Sequence, residues 1–121
     1  MVMPGPTDIL LVEDEPAILS LLERVLARAG FAVRACASPA EALADAPVDY
    51  GLAIVDFSLP GMDGLALIGE LRRRQPDLRV ILCSGMPMNT PDLSPPVAFL
   101  QKPYSLRQLT ELVAETLEPA T

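Results

Sequence analysis

Five side chains in this sequence have the types and positions from which a reactive site is built: the acids Glu13, Asp14 and Asp56, the hydroxyl of Ser84 and the amine of Lys102. Each stands where a short apolar run gives way to a turn. Leu52-Ala53-Ile54-Val55 reads as a strand buried on both faces, and Asp56 comes where that run stops, just ahead of a turn at Pro60-Gly61. A carboxylate there either opens the turn, as Asp often does, or faces a crevice as a reactive group. Two carboxylates roughly 4 Å apart repel by about 4 kcal/mol at an effective dielectric of about 20, so an acid cluster calls for a cation. Oxygen donors, in a chain with no histidine, select a hard ion. The lack of histidine also removes His-based general-base triads and any phosphohistidine of the chain's own.

The elements that must hold these groups follow from the patterning. Ile9-Leu10-Leu11-Val12 is an apolar run ending in Glu13-Asp14-Glu15, with Pro16 at a first helical position. Ile18, Leu21, Leu22, Val25, Leu26 and Ala29 then recur at helical spacing, and Gly30 stops the helix. Ala32 to Cys36 alternates as a short edge strand does, and Ser38-Pro39-Ala40-Glu41 has capping-box spacing for a helix to about Asp45. After the Asp56 strand, Asp63 is placed to cap a helix whose Leu65, Leu67, Ile68 and Leu71 face the sheet and which ends near Arg74, before Pro76. Val80-Ile81-Leu82-Cys83 and Val97-Ala98-Phe99-Leu100 are two further strands, and Ser105 with Gln108 opens a last helix bearing Leu109, Leu112, Val113 and Leu117. Strand and helix alternate, so the expected fold is α/β: a doubly wound sheet of five parallel strands whose C-terminal ends share one edge. That edge carries Glu13, Asp14, Asp56, Ser84 and Lys102.

Composition sets the outer bounds. A chain of 121 residues, half of them hydrophobic, forms one domain that buries roughly two thirds of its unfolded surface. A net charge of -7 argues against nucleic-acid binding, and Arg72, Arg73 and Arg74 read as the basic end of one helix. Cys36 and Cys83 lie in apolar runs without paired spacing, which suggests reduced, buried thiols and a cytoplasmic protein. No run approaches the roughly 20 apolar residues of a membrane span, and residues 1–7 lack the features of a signal peptide. The expected organisation is a flexible leader over 1–7, one domain over 8–118 and a tail over 119–121.

In order along the chain, Leu11-Val12-Glu13-Asp14-Glu15-Pro16, Val55-Asp56-Phe57-Ser58-Leu59-Pro60-Gly61-Met62-Asp63-Gly64, Ser84-Gly85 and Leu100-Gln101-Lys102-Pro103 resemble the four motifs of response-regulator receiver domains, the phosphoacceptor modules of two-component signalling. The resemblance covers roughly Asp8 to Leu117 and implies a flavodoxin-like sheet of order 2-1-3-4-5. It implies that Asp14 and Asp56 bind Mg²⁺ directly with the Ser58 backbone carbonyl, Glu13 acting through water, and that Asp56 takes a phosphoryl group from a phosphohistidine donor, a histidine kinase or phosphotransfer protein. Mg²⁺ suits such a set because it tolerates few protein ligands and keeps waters. Mg²⁺ and Lys102 offset charge on the phosphoryl oxygens, and Pro103 allows a cis Lys102-Pro103 bond. Ser84 and Phe99 correspond to the switch pair, hydroxyl and aromatic, although Phe99 also reads as a plain core residue. Alone, Lys102 reads as a solvated loop lysine and Ser84 as a turn residue; together and in order they do not. On this reading the chain is no turnover enzyme, since it catalyses only its own phosphoryl transfer and hydrolysis.

The sequence departs from the family pattern between the fourth and fifth strands. Ser84 and Lys102 are 18 positions apart, about four fewer than the family usually has, and four residues make roughly one helical turn. Prolines at 87, 91, 95 and 96 disfavour a helix there, so the helix between those strands is expected to be shortened or absent and partners to bind near the first helix or the active-site loops. The sequence ends just after the last helix, so its output is expected to be a contact, from a free regulator or from a receiver of a hybrid sensor kinase. Two other classes compete. An aspartyl-phosphate phosphatase generally has a second Asp two residues after the nucleophile, where this chain has Ser58. A pseudo-receiver would keep the fold as a docking module and carry no phosphate. Neither the downstream partner nor the oligomeric state is legible.

Overall fold

A computed structural model of the chain describes residues 7–44, 49–85 and 97–117. The proline-rich segment 86–96, for which a shortened or absent helix is expected, lies outside the described residues, as do most of the leader and the tail. The elements are β1 (Thr7–Val12), α1 (Pro16–Arg28), β2 (Val33–Cys36), α2 (Pro39–Ala44), β3 (Tyr50–Asp56), α3 (Gly64–Arg74), β4 (Arg79–Ser84), β5 (Val97–Gln101) and α4 (Leu106–Leu117). All neighbouring strands are parallel, in the order β2-β1-β3-β4-β5. This is the doubly wound order expected from the resemblance, with β2 on an edge as its alternating pattern requires.

The strands alternate between two apolar layers, as period-two side chains on a sheet covered on both faces must. Leu10, Val12, Ala53, Val55, Val80 and Leu82 pack with Leu67, Ile68 and Leu71 of α3 and Ala42 of α2. Ile9, Leu11, Leu52, Ile54, Ile81 and Cys83 pack with Leu22 and Leu26 of α1 and with Leu109 and Val113 of α4. Each fully buried Leu or Ile contributes roughly 1.5–3 kcal/mol, which fixes the register and the direction in which the strand ends point.

The helix ends follow their capping residues. Asp63 Oδ1 accepts from the Ala66 N–H at 2.8 Å, which starts α3. The Ser105 hydroxyl accepts from the Gln108 N–H at 3.0 Å while Gln108 Oε1 accepts from the Ser105 N–H at 2.8 Å, a reciprocal capping box that starts α4. At the end of α1, Gly30 takes φ +101°. Of the apolar residues at helical spacing in α1, Leu22 and Leu26 are buried, whereas Ile18 and Leu21 are exposed.

Candidate functional site

The rows of inward-facing residues carry the site. Glu13 continues the row Ile9–Leu11, Asp56 continues Leu52–Ile54 and Cys83 continues Ile81, so all three side chains emerge on the α1/α4 side of the sheet. Backbone bonds extend the sheet into its loops: the Glu13 N–H donates to the Cys36 carbonyl at 3.1 Å, Phe57 N–H to Cys83 at 2.8 Å and Lys102 N–H to Ser84 at 2.7 Å. Glu13, Asp56 and Ser84 are buried, and Asp14 is exposed. One carboxylate oxygen from each of Glu13, Asp14 and Asp56 lies within 4.8 Å of the other two.

Lys102 answers part of this negative charge. Its Nζ stands 3.0 Å from Asp56 Oδ1, after a backbone that turns through a cis Lys102–Pro103 bond. Burial works against the ammonium, but the hydrogen bond and charge of Asp56, with Glu13 behind it, hold its pKa above the ordinary value. Burial, and then the charge and hydrogen bond of Asp56, push the Glu13 carboxyl from 4.5 up to about 7. The excess negative charge is the property a cation would relieve, and the donor atoms are all oxygens. The three acids therefore fit a hard divalent ion such as Mg²⁺.

The loop after β3 is closely fitted. The Gly64 N–H donates to the Phe57 carbonyl at 2.8 Å, and Gly61 takes φ +82°. A Cβ on Gly64 would lie 2.6 Å from the Asp56 carbonyl oxygen and 2.9 Å from Phe57 Cα, so only glycine lets α3 start this close to the strand end. Ser58 lies in this loop and is exposed. Ser84 ends β4, its carbonyl holding the Lys102 amide. Phe99 is 43% exposed on β5, so it is not the core residue that one reading of the sequence made it.

Two lining residues escaped the sequence reading as site residues. Tyr104 and Cys83 line a recess beneath the acids with Glu13, Asp56 and Lys102, with room of about 10 Å³, roughly one water. Burial, with Asp56 adding its charge, pushes the Cys83 thiol up to about 12. Burial and the neighbouring negative charges likewise raise the Tyr104 phenol. A polar aromatic two positions after the motif lysine was the available signal.

The family model for the response regulator receiver domain matches residues 9–114. The chain belongs to this family. Over 123 aligned residues this receiver domain is 36% identical to the sensor kinase CckA of Brucella abortus, covering 96% of the chain and 13% of the kinase. Among solved structures, it resembles a CheY-like receiver domain protein of Methanospirillum hungatei with a TM-score of 0.83 and 27% identity, over 93% of this chain and 94% of that one. It also resembles the response regulator TrrA of Thermotoga maritima, solved in complex with Mg(2+)-BeF, with a TM-score of 0.77 and 31% identity over 92% and 99% of the two chains. The receiver domain spans 13% to 51% of the length of such curated relatives. Among the described residues, no helix is long and apolar enough to cross a membrane.

Proposed function

We propose that this receiver domain accepts a phosphoryl group onto Asp56 from a phosphohistidine donor, with Mg²⁺ held by Asp14, Asp56 and the Ser58 carbonyl and with Glu13 acting through water. The observation that carries the reading is the placement of Lys102 Nζ at 3.0 Å from Asp56 Oδ1 beside three clustered acid oxygens. An Asp56 oxygen forms the bond to phosphorus as the donor's phosphorus–nitrogen bond breaks and the leaving imidazole takes up a proton. Lys102 offsets charge on the phosphoryl oxygens. Mg²⁺, when bound, supplies a second and larger positive charge at the same oxygens. The Mg(2+)-BeF complex of the Thermotoga maritima relative supports this ion at these acids.

Phosphorylation adds charge and acceptor oxygens at Asp56, and Ser84 and Phe99 carry the change outward as hydroxyl and aromatic switch residues. The exposure of Phe99 supports that role, because an outward ring has an inward position to take. On this reading the domain acts in the cytoplasm, processes no separate substrate and catalyses only its own phosphorylation and hydrolysis. The test is intact mass after incubation with a small-molecule phosphodonor, with and without Mg²⁺. One phosphoryl group is expected on the wild type with Mg²⁺, and none without the ion or on Asp56→Asn. Equal labelling of Asp56→Asn would place the acceptor elsewhere.

A further inference from the structure

Mg²⁺ asks something of the loop after β3 that the acids cannot supply: the ligand there is a main-chain carbonyl, that of Ser58, and a carbonyl goes where its backbone goes. The Ser58 side chain is exposed, so that backbone must be held from elsewhere in the loop. Leu59 and Met62, half-buried, pack against the α3 layer. The Gly64 N–H donates to the Phe57 carbonyl at 2.8 Å, which ties the peptide entering Ser58 to the first residue of α3. Gly64 also stands so near the strand end that a Cβ on it would fall 2.6 Å from the Asp56 carbonyl oxygen. The first turn of α3 is fixed in its own right by Asp63, whose Oδ1 accepts the Ala66 N–H at 2.8 Å. A chain of short contacts thus runs from the Asp63 carboxylate through Gly64 to the backbone at Ser58.

We propose that Asp63 is a positioning residue for the ion: by capping α3 it holds Gly64 against the Phe57 carbonyl and thereby fixes the backbone from which Ser58 offers its carbonyl to Mg²⁺. This rests on the reading of Asp14, Asp56 and Ser58 as the ion's ligands. Asp63 acts through the helix start and needs no contact with the ion. A helix that loses its cap loosens in its first turn, and Gly64 opens that turn. The slack therefore falls on the bond from Gly64 to Phe57, while the acids, which come from the ends of β1 and β3, keep their places in the sheet.

The experiment titrates the full chain with Mg²⁺ by calorimetry, comparing wild type, Asp63→Ala, Asp63→Asn, Asp63→Ser and Ser38→Ala. Asp63→Ala removes the charge and the accepting oxygen together, whereas Asn and Ser remove the charge alone and still cap. Asp63→Ala is expected to raise the Mg²⁺ Kd roughly tenfold, with Asp63→Asn and Asp63→Ser within about threefold of the wild type. Ser38→Ala removes the hydroxyl that accepts the Glu41 N–H at 3.2 Å at the start of α2, a helix that carries none of the ion's ligands, and should leave the Kd unchanged. A second readout uses no ion: the NMR coupling across the Gly64 N–H to Phe57 carbonyl hydrogen bond should be present in the wild type, Asp63→Asn and Asp63→Ser and lost in Asp63→Ala. Equal weakening in all three Asp63 variants would assign the effect to charge and overturn the proposal, as would wild-type affinity in Asp63→Ala or an equal loss in Ser38→Ala. Should the wild type bind no Mg²⁺, the ion reading fails and the proposal with it. An intact coupling in Asp63→Ala, beside a wild type that binds the ion, would sink the role of Asp63 alone.

Discussion

A carboxylate buried beside another carboxylate keeps its proton to higher pH than one in water, and Glu13 is such a group. Its pKa rises from 4.5 to about 7 on folding, so between those values the folded state binds more protons than the unfolded state. Stability from this group is complete below about pH 4.5, falls as pH rises through 7 and is level above that, a loss on the order of 3 kcal/mol. Without Mg²⁺, Glu13→Gln should therefore gain on the wild type steadily from pH 4.5 to 7.5 in urea titrations. Parallel curves for the two proteins would remove the cause assigned here. Added Mg²⁺ should shrink the difference, because a cation favours the ionised carboxylate. At this scale Glu13, Asp14, Asp56 and Lys102 were legible because each sits at the end of an apolar run. Tyr104 went unread although it lies two positions after Lys102, since its place beside Cys83 in the recess is settled only by the fold.

Among the elements, the start of α3 has the least room. Gly64 faces the Asp56 carbonyl at a distance no Cβ tolerates, and both partners are backbone, so nothing flexible can yield. Gly64→Ala should cost about 1–3 kcal/mol in stability and weaken Mg²⁺ binding, because the strain is relieved by shifting the backbone of Asp56 and Phe57. Calorimetric Mg²⁺ titration beside a thermal melt checks both, and an unchanged affinity would show that the shift is taken up by α3 instead. The helix starts were legible from their capping residues, Asp63 and Ser105 with Gln108, because a cap is local chemistry. The buried face of α1 was less so. Ile18 and Leu21 share the helical spacing of Leu22 and Leu26 but face outward, since periodicity marks where apolar residues recur and not which of them the sheet covers.

For the molecule as a whole, strand count and parallel direction followed from the alternation of strand and helix. The neighbour order came from the family resemblance, because no local pattern says which two strands will pair. The resulting sheet puts β1, β3 and β4 at its centre, and the backbone bonds of Phe57 and Lys102 lengthen β3–β4 and β4–β5 pairing by one rung beyond the strands. In native-state hydrogen exchange, the Phe57 and Lys102 amides should then be protected to nearly the same free energy as Val55 and Leu82, although both residues lie in loops. Fast exchange at these two positions would show that the loops open on their own. If they do not, the backbones that carry Asp56 and Lys102 part only when the sheet itself opens, and the persistence of the pocket's frame is set by the cooperative unfolding of the sheet. A substitution deep in either apolar layer would then alter how long the pocket persists while leaving its chemistry untouched.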